Sequence, residues 1–323
     1  MLSSRPRYRS FIQDSARWND FAFRKGDIVI STPPKCGTTW TQMLCALLIF
    51  QDPQLPQPLG LLSPWLDMLT RPKAEVFARL EAQQHRRFIK THTPLDGLPL
   101  QDEVTYICVG RDPRDVGVSM MHHRENMDLK MFGKALREVI VRDGIDEPMA
   151  PPQDQEEATL EARFWHWIDA PSSITEGPSS LHQTLHHYEQ ALSRRDQENI
   201  VVMHYSDLKA DCEGEMRRLA ARLGIDVAEA IWPTLVEAAS FTSMRARAEE
   251  LVPNSDIGLW KEPDQFFKSG TGGHWRLFFD AAAQSRYEAR ITAIASPEVA
   301  EWAHFGWRGD RTSEGRLNDE ISF

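Results

Sequence analysis

The stretch "DIVISTPPKCGTTWTQMLCALLIF" constrains this chain more than any other. A short β-branched run (27–31) leads into a loop with two prolines and one glycine, and an apolar run at helical spacing follows. Runs apolar on both faces are buried parallel strands. Strand, loop and helix in this order set backbone N–H groups at a helix N-terminus, where the dipole favours an anion. Gly37 lets a ligand approach the backbone, and the N–H groups of Gly37, Thr38 and Thr39 are expected to point outward, with Thr38 or Thr39 as N-cap. Lys35 adds a full positive charge, and the two threonine hydroxyls add donors. The loop departs from an ATP- or GTP-binding P-loop, whose lysine follows the glycines as G-x-x-x-x-G-K-[ST]. Here Lys35 precedes the single glycine. Taken alone, the loop also reads as a capped helix start beside a surface lysine.

Three more runs have strand character: "RRFIKTH" (86–92), "EVTYICVGR" (103–111) and "NIVVMHYSDL" (199–208). Helical patterns follow the last two, "DPRDVGVSMMHH" and "GEMRRLAARLG", the latter with Gly224 as its C′ residue. Ser63-Pro64 reads as an N-cap and first helical position, opening one or two helices that run to about residue 84. Strands alternating with helices imply an α/β fold: one P-loop-like central parallel sheet flanked by helices, in a single domain over 1–307. "DGIDEPMAPPQDQEE" and "PSSITEGPSS" read as mobile insertions, and 308–323 as a flexible C-terminal tail with few apolar residues.

Composition narrows the function. The formal charge of -10 argues against a nucleic-acid footprint or a polybasic membrane patch, so an anionic ligand must be held by a few local cations. No apolar run reaches the length of a membrane span, and the N-terminus lacks the apolar core of a signal peptide. Four cysteines without metal-ligand spacing suit reduced thiols, and a cytoplasmic chain is expected. The pairs His122-His123 and His186-His187 lack further spaced ligands and read as surface rather than metal sites.

After the loop come "KTHTPLDGLP", "VGRDPRDVGVS", "YSDLK" and "FFKSGTGGHW", in that order. With "PKCGTTW" they make five ordered motifs, and over about 8–306 the chain resembles the cytosolic-type sulfotransferases, in particular the mycobacterial glycolipid members. These enzymes move a sulfonate from 3′-phosphoadenosine-5′-phosphosulfate (PAPS) to an acceptor hydroxyl or amine, leaving 3′,5′-adenosine bisphosphate (PAP).

The resemblance implies roles residue by residue. Lys35 would neutralise charge on the leaving phosphate oxygen. Gly37, Thr38 and Thr39 would hold the 5′-phosphate, with Cys36 where the family usually has serine. Trp40 would lie against the adenine. His92 in "KTH-x-P" would be the general base, with Lys90 near the transferring sulfonate. Arg111 and Ser119, the latter about two turns into a helix, would grip the 3′-phosphate. On the residues alone, Arg111 also reads as a strand-end arginine paired with Asp112 or Asp115. Tyr205 and Phe241 would flank the adenine. Lys268, Ser269 and Gly270 stand where the family has Arg-Lys-Gly, so one basic residue is missing. Asp280 and Ser285 replace a threonine and a glutamate of the family's dimer motif, which leaves homo-oligomerisation open. Cys36 reads either as a thiolate favoured by the helix terminus and Lys35 or as an inert small residue.

The resulting expectation is a PAPS-dependent sulfotransferase that needs no metal. Its acceptor would be a small apolar or glycolipid-like hydroxyl. Residues 61–69, Met120, Met121, Phe164, Trp165 and Trp167 either line an apolar entrance for it or belong to the core. Two rivals are a P-loop nucleotide kinase, disfavoured by the loop, and a non-catalytic nucleotide- or lipid-binding member of the fold.

Overall fold

In the computed structural model, the described residues are 5–146, 149, 159–170, 173–177, 179–267 and 272–308. Four short strands, β1 (Ile28–Ser31), β2 (Phe88–Thr91), β3 (Thr105–Gly110) and β4 (Ile200–His204), form one sheet in the order β2-β1-β3-β4. All three pairings are parallel, with Ile30 opposite both Lys90 and Ile107. Alternation along the strands sends Ile28, Ile30, Ile107, Val109, Val201 and Met203 to one face and Val29, Ile89, Tyr106, Cys108 and Val202 to the other. Both faces are covered, which is why the strands read as unbroken apolar runs.

On the first face α1 (Thr38–Phe50) packs through Met43, Leu44 and Leu47, beside helices at 212–223 and 232–238. The intervening helices are α2 (Leu59–Leu62) and α3 (Lys73–Ala82), then α4 (Pro113–Asn126), α5 (Leu129–Arg142), α6 (Leu160–Asp169) and α7 (Leu181–Leu192). On the second face α7 contributes Leu181, Leu185 and Tyr188, joined by Phe164 of α6 and by Val299 and Trp302 near the C-terminus. A third apolar cluster, with Met68, Phe132, Leu136 and Leu259, joins α5 to the 65–69 segment outside the sheet.

Two local expectations change. Ser63 ends the short α2 rather than starting a helix, because its backbone leaves the helical region (φ -129°, ψ 73°). Pro64 and Trp65 then run along the open edge of β2, where Lys90 N–H donates to Pro64 O at 3.0 Å and Leu66 N–H to Lys90 O at 3.2 Å. A proline is tolerated there because an edge position asks no N–H of it. The helix expected in this region starts later, at Lys73, and ends at Ala82. Similarly, "PSSITEGPSS" is not a free insertion over its described part. Arg9 N–H donates to Thr175 O at 2.8 Å and Gly177 N–H to Arg9 O at 3.0 Å, which ties 173–177 to the N-terminal segment. Most of "DGIDEPMAPPQDQEE", and the tail from 309 on, lie outside the described residues. Arg308 itself is held by Asp207 and Asp211, at 3.1 and 2.7 Å.

Candidate active site

The C-terminal ends of parallel strands point the same way, so the loops after β1, β2, β3 and β4 meet at one edge of the sheet. They deliver Lys35, His92, Arg111 and Tyr205 to a single cavity of about 1290 Å³, also lined by Gly37, Thr38, Thr39, Trp40, Lys90, Ser119 and Phe241. Of the site residues expected from sequence and described here, only Cys36 does not line it.

The loop begins with strain. Lys35 has a φ of 66° and Gly37 a φ of 87°, both in the left-handed region. Gly37 is required there twice over, since a Cβ would also meet the Tyr205 ring at 3.1 Å. Gly37, not a threonine, is the N-cap of α1, and no side chain caps it. Thr38 is turned instead to Thr32, with the hydroxyls 2.6 Å apart. The N–H groups of the first turn thus keep their capacity for an outside acceptor.

Cys36 is fully buried, with its sulfur 3.1 Å from the Tyr188 hydroxyl. Burial pushes its thiol up to about 12, outweighing the hydrogen bond to Tyr188 and the charges of Arg111 and Lys35. Of the two readings of Cys36, its burial supports the inert small residue: the side chain is a neutral packing group. Tyr188 ties the loop to β3, donating to Arg111 O at 2.7 Å and accepting from Arg111 N–H at 3.0 Å.

His92 is oriented by one short bond, Nδ1–H to Thr32 O at 2.6 Å. That bond puts the proton on Nδ1 and leaves the Nε2 lone pair available. Burial holds the imidazole well below its usual value, helped by Lys90, His187 and Lys35. Trp65 packs edge-on against His92 (centroids 4.4 Å apart) and lies under Lys90, whose Nζ is 4.2 Å from the ring centre. Trp65 is fixed in turn by Asp67, whose Oδ1 accepts from its indole at 2.8 Å. The other Asp67 oxygen accepts from Thr91 (2.6 Å), Thr93 (2.7 Å), Trp18 (3.0 Å) and Gln13 (3.2 Å).

Arg111 does not pair with Asp112 or Asp115. Asp112 caps α4 and binds Arg114, 2.7 Å from Nη2, while Asp115 accepts from Gly273 N–H at 2.7 Å. The Arg111 guanidinium lies 4.5 Å over the Tyr205 ring and donates to Lys35 O at 3.1 Å, and its buried Nε has no hydrogen-bond partner among the described residues. Tyr205 meets Trp40 edge-on at 5.3 Å, and the buried Trp40 Nε1 is likewise unpartnered. Unsatisfied buried donors beside a cation are what a polar, anionic ligand would complete.

The sequence matches the family model for the sulfotransferase domain over residues 25–300. It belongs to the sulfotransferase family. A glycolipid sulfotransferase of Mycobacterium bovis is 43% identical to it over 319 residues, covering 95% of this chain and 97% of that protein. Human sulfotransferase 2B1 is 24% identical, over 82% of this chain and 65% of that one. Among solved structures, a retinol dehydratase in complex with retinol and PAP superposes with a TM-score of 0.64 at 21% identity, covering 86% of this chain and 84% of that one. A mouse sulfotransferase complexed with PAP gives 0.63 at 19% identity, covering 89% and 90%. These two share the fold. No described helix is long and apolar enough to cross a membrane.

The sulfotransferase cavity takes some of the apolar residues singled out in the sequence and not others. Trp65, Met68, Met120, Met121 and Trp167 reach it, whereas Phe164 and Trp165 are core, the first edge-on to Phe279 and the second stacked with it. Lys268, Ser269 and Gly270 lie outside the described residues. Asp280 caps the helix Ala281–Ile294, and Ser285 Oγ donates to Ala281 O at 3.0 Å.

The histidine pairs do not fit the surface reading. His187 is buried with Nε2 3.2 Å from Ser31 Oγ, and His186 meets Asp96 and Tyr8. His123 lines the cavity with Nδ1 3.1 Å from Lys35 Nζ. His123, Tyr188 and Asp67 were not selected from the sequence. A HH pair one turn after Ser119 was the available signal for the first, and nothing local marked the other two.

Proposed function

We propose that this sulfotransferase uses PAPS as donor and passes the sulfonate to a hydroxyl of an apolar or glycolipid-like acceptor, working in the cytoplasm. His92 carries the reading, because its Nδ1 is committed to Thr32 O and its Nε2 is free to take the acceptor's proton. The acceptor oxygen forms a bond to sulfur, the bond from sulfur to the phosphate oxygen breaks, and PAP leaves. Lys35 and the N–H groups of the first turn of α1 meet the charge gathering on that phosphate. Lys90, held over Trp65, faces the sulfonate. Arg111 and Ser119 grip the 3′-phosphate, while Trp40, Tyr205 and Phe241 wall the adenine. Cys36 contributes its backbone alone.

The likeness to the mycobacterial glycolipid sulfotransferase supports the acceptor class. So does the apolar lobe of the cavity, where Phe11, Met68, Phe132, Leu136 and Trp260 offer room for a lipid chain. Calorimetric titration with PAP, against 5′-AMP and without magnesium, tests the donor site. Micromolar PAP binding is expected, at least tenfold weaker for AMP and again for Arg111→Ala. Equal binding of the two nucleotides would sink the assignment.

A further inference from the structure

The contact between Lys35 and His123 is unused by the roles proposed above. Lys35 Nζ lies 3.1 Å from His123 Nδ1 and 4.5 Å from the centre of the Phe266 ring. An ammonium can only donate, so Nδ1 accepts and the imidazole proton sits on Nε2. The ring itself is seated between Trp260 and Phe266, with centroids 4.7 and 5.6 Å away. The other groups facing Lys35 are Lys90 from β2, Arg111 from the end of β3, and the neutral Cys36 thiol beside it in the loop; Lys90 and His92 also face His123. Among the described residues, no carboxylate pairs with Lys35.

We infer that His123 is a positioning residue for sulfonate transfer, its Nδ1 lone pair holding the Lys35 ammonium while Trp260 and Phe266 hold the imidazole. The inference rests on the role given to Lys35 above. A half-buried, partly desolvated ammonium facing two other cations needs an acceptor to remain charged. A neutral lysine would offer the leaving phosphate no charge. The margin is narrow, because burial, with Arg111 and Lys90 adding to it, lowers Lys35 to about 7.

The test is calorimetric binding of PAP by the full chain from pH 5.5 to 9, comparing wild type, His123→Phe and His123→Gln. Phenylalanine keeps the packing against Trp260 and Phe266 and removes the lone pair, while the glutamine carbonyl can still accept. Above about pH 7 the phosphates of PAP are fully charged, so weaker binding on the alkaline side reports loss of the Lys35 proton. In His123→Phe that weakening is expected about one pH unit lower, giving binding roughly tenfold weaker near pH 7.5 and a deficit that closes toward pH 5.5. His123→Gln is expected to restore the wild-type profile. An unshifted His123→Phe profile, or a deficit equal at every pH, would overturn the inference and leave His123 a packing residue. Lys35→Met separates the two levels. If it leaves the wild-type pH dependence intact, or if wild type does not bind PAP, the donor-site reading fails and this inference falls with it.

Discussion

A general base must be unprotonated at working pH and aimed at its proton, and the role proposed for His92 asks both of its surroundings. Burial beside Lys90 and Lys35 keeps the imidazole neutral, and Thr32 O selects the tautomer. His92→Ala is therefore expected to lower kcat by about 10²–10⁴-fold. PAP affinity should stay within a few-fold, because the donor phosphates are assigned to other residues. Steady-state rates and PAP titration on the same variant check this, and a parallel loss of both would make His92 a structural residue. The acid limb of kcat should lie below the usual histidine range, since burial and the neighbouring cations lower the proton affinity of the imidazole. At this scale the sequence was legible where a motif named the residue: Lys35, His92, Arg111 and Tyr205 all reach the cavity. It was illegible where the role depends on a fold contact. His123 lies 88 positions from the lysine it touches, and no local pattern spans that distance.

Among the elements, the strands were the most legible part. Apolar β-branched runs of four to six residues have few other uses, and β1 to β4 fall inside the four segments expected. The 63–69 segment was misread because Ser-Pro is a good helix start in isolation. What overrides it is tertiary: the free edge of β2 pairs with 64–66, and the Asp67 carboxylate gathers five donors. Those donors come from the N-terminal segment, the 65–67 turn and the end of β2, so one side chain fastens three pieces of chain. Asp67→Ala would leave buried hydroxyls and indole N–H groups without acceptors, at about 1–3 kcal/mol for a single unsatisfied group and more if several stay unpaired. Chemical denaturation should show a loss of at least about 2 kcal/mol on that basis. Activity should fall as well, because Trp65 would no longer be fixed against His92 and Lys90. A variant as stable as wild type would refute the account of this hub.

Across the whole molecule, buried and half-buried histidines set the response to acid. Burial lowers His187 to about 3 and moves His92, His123, His204 and His304 in the same direction. Their unfolded value is about 6.5, so above it neither state holds the proton. Below it the unfolded chain takes up protons that the folded chain refuses. Stability is thus fully present above about pH 6.5 and falls as the pH drops toward 3, by up to about 1.4 kcal/mol per pH unit for each such residue. Asp14, Asp96 and Asp112, held low in the fold, add to the loss at the acid end, whereas Asp67 and Asp115, held high, oppose it. Melting temperature measured from pH 7.5 down to 4 should decline steadily; a flat profile would mean these histidines are solvated.

The left-handed backbone at Lys35 sets the role proposed for this residue against durability at one position. A residue with a side chain is held there at a cost of about 1–2 kcal/mol, which glycine would not incur. Glycine would give back about 0.5–1 kcal/mol through its freer unfolded chain, and it would also remove a half-buried cation. Lys35→Gly is therefore expected to melt no lower than wild type while losing sulfonate transfer, whereas Lys35→Met should keep the strain and lose activity. If Lys35 acts as proposed, selection for thermal resistance alone would drift toward a sturdier, silent protein, and the lysine would survive in this loop only while the reaction itself is under selection.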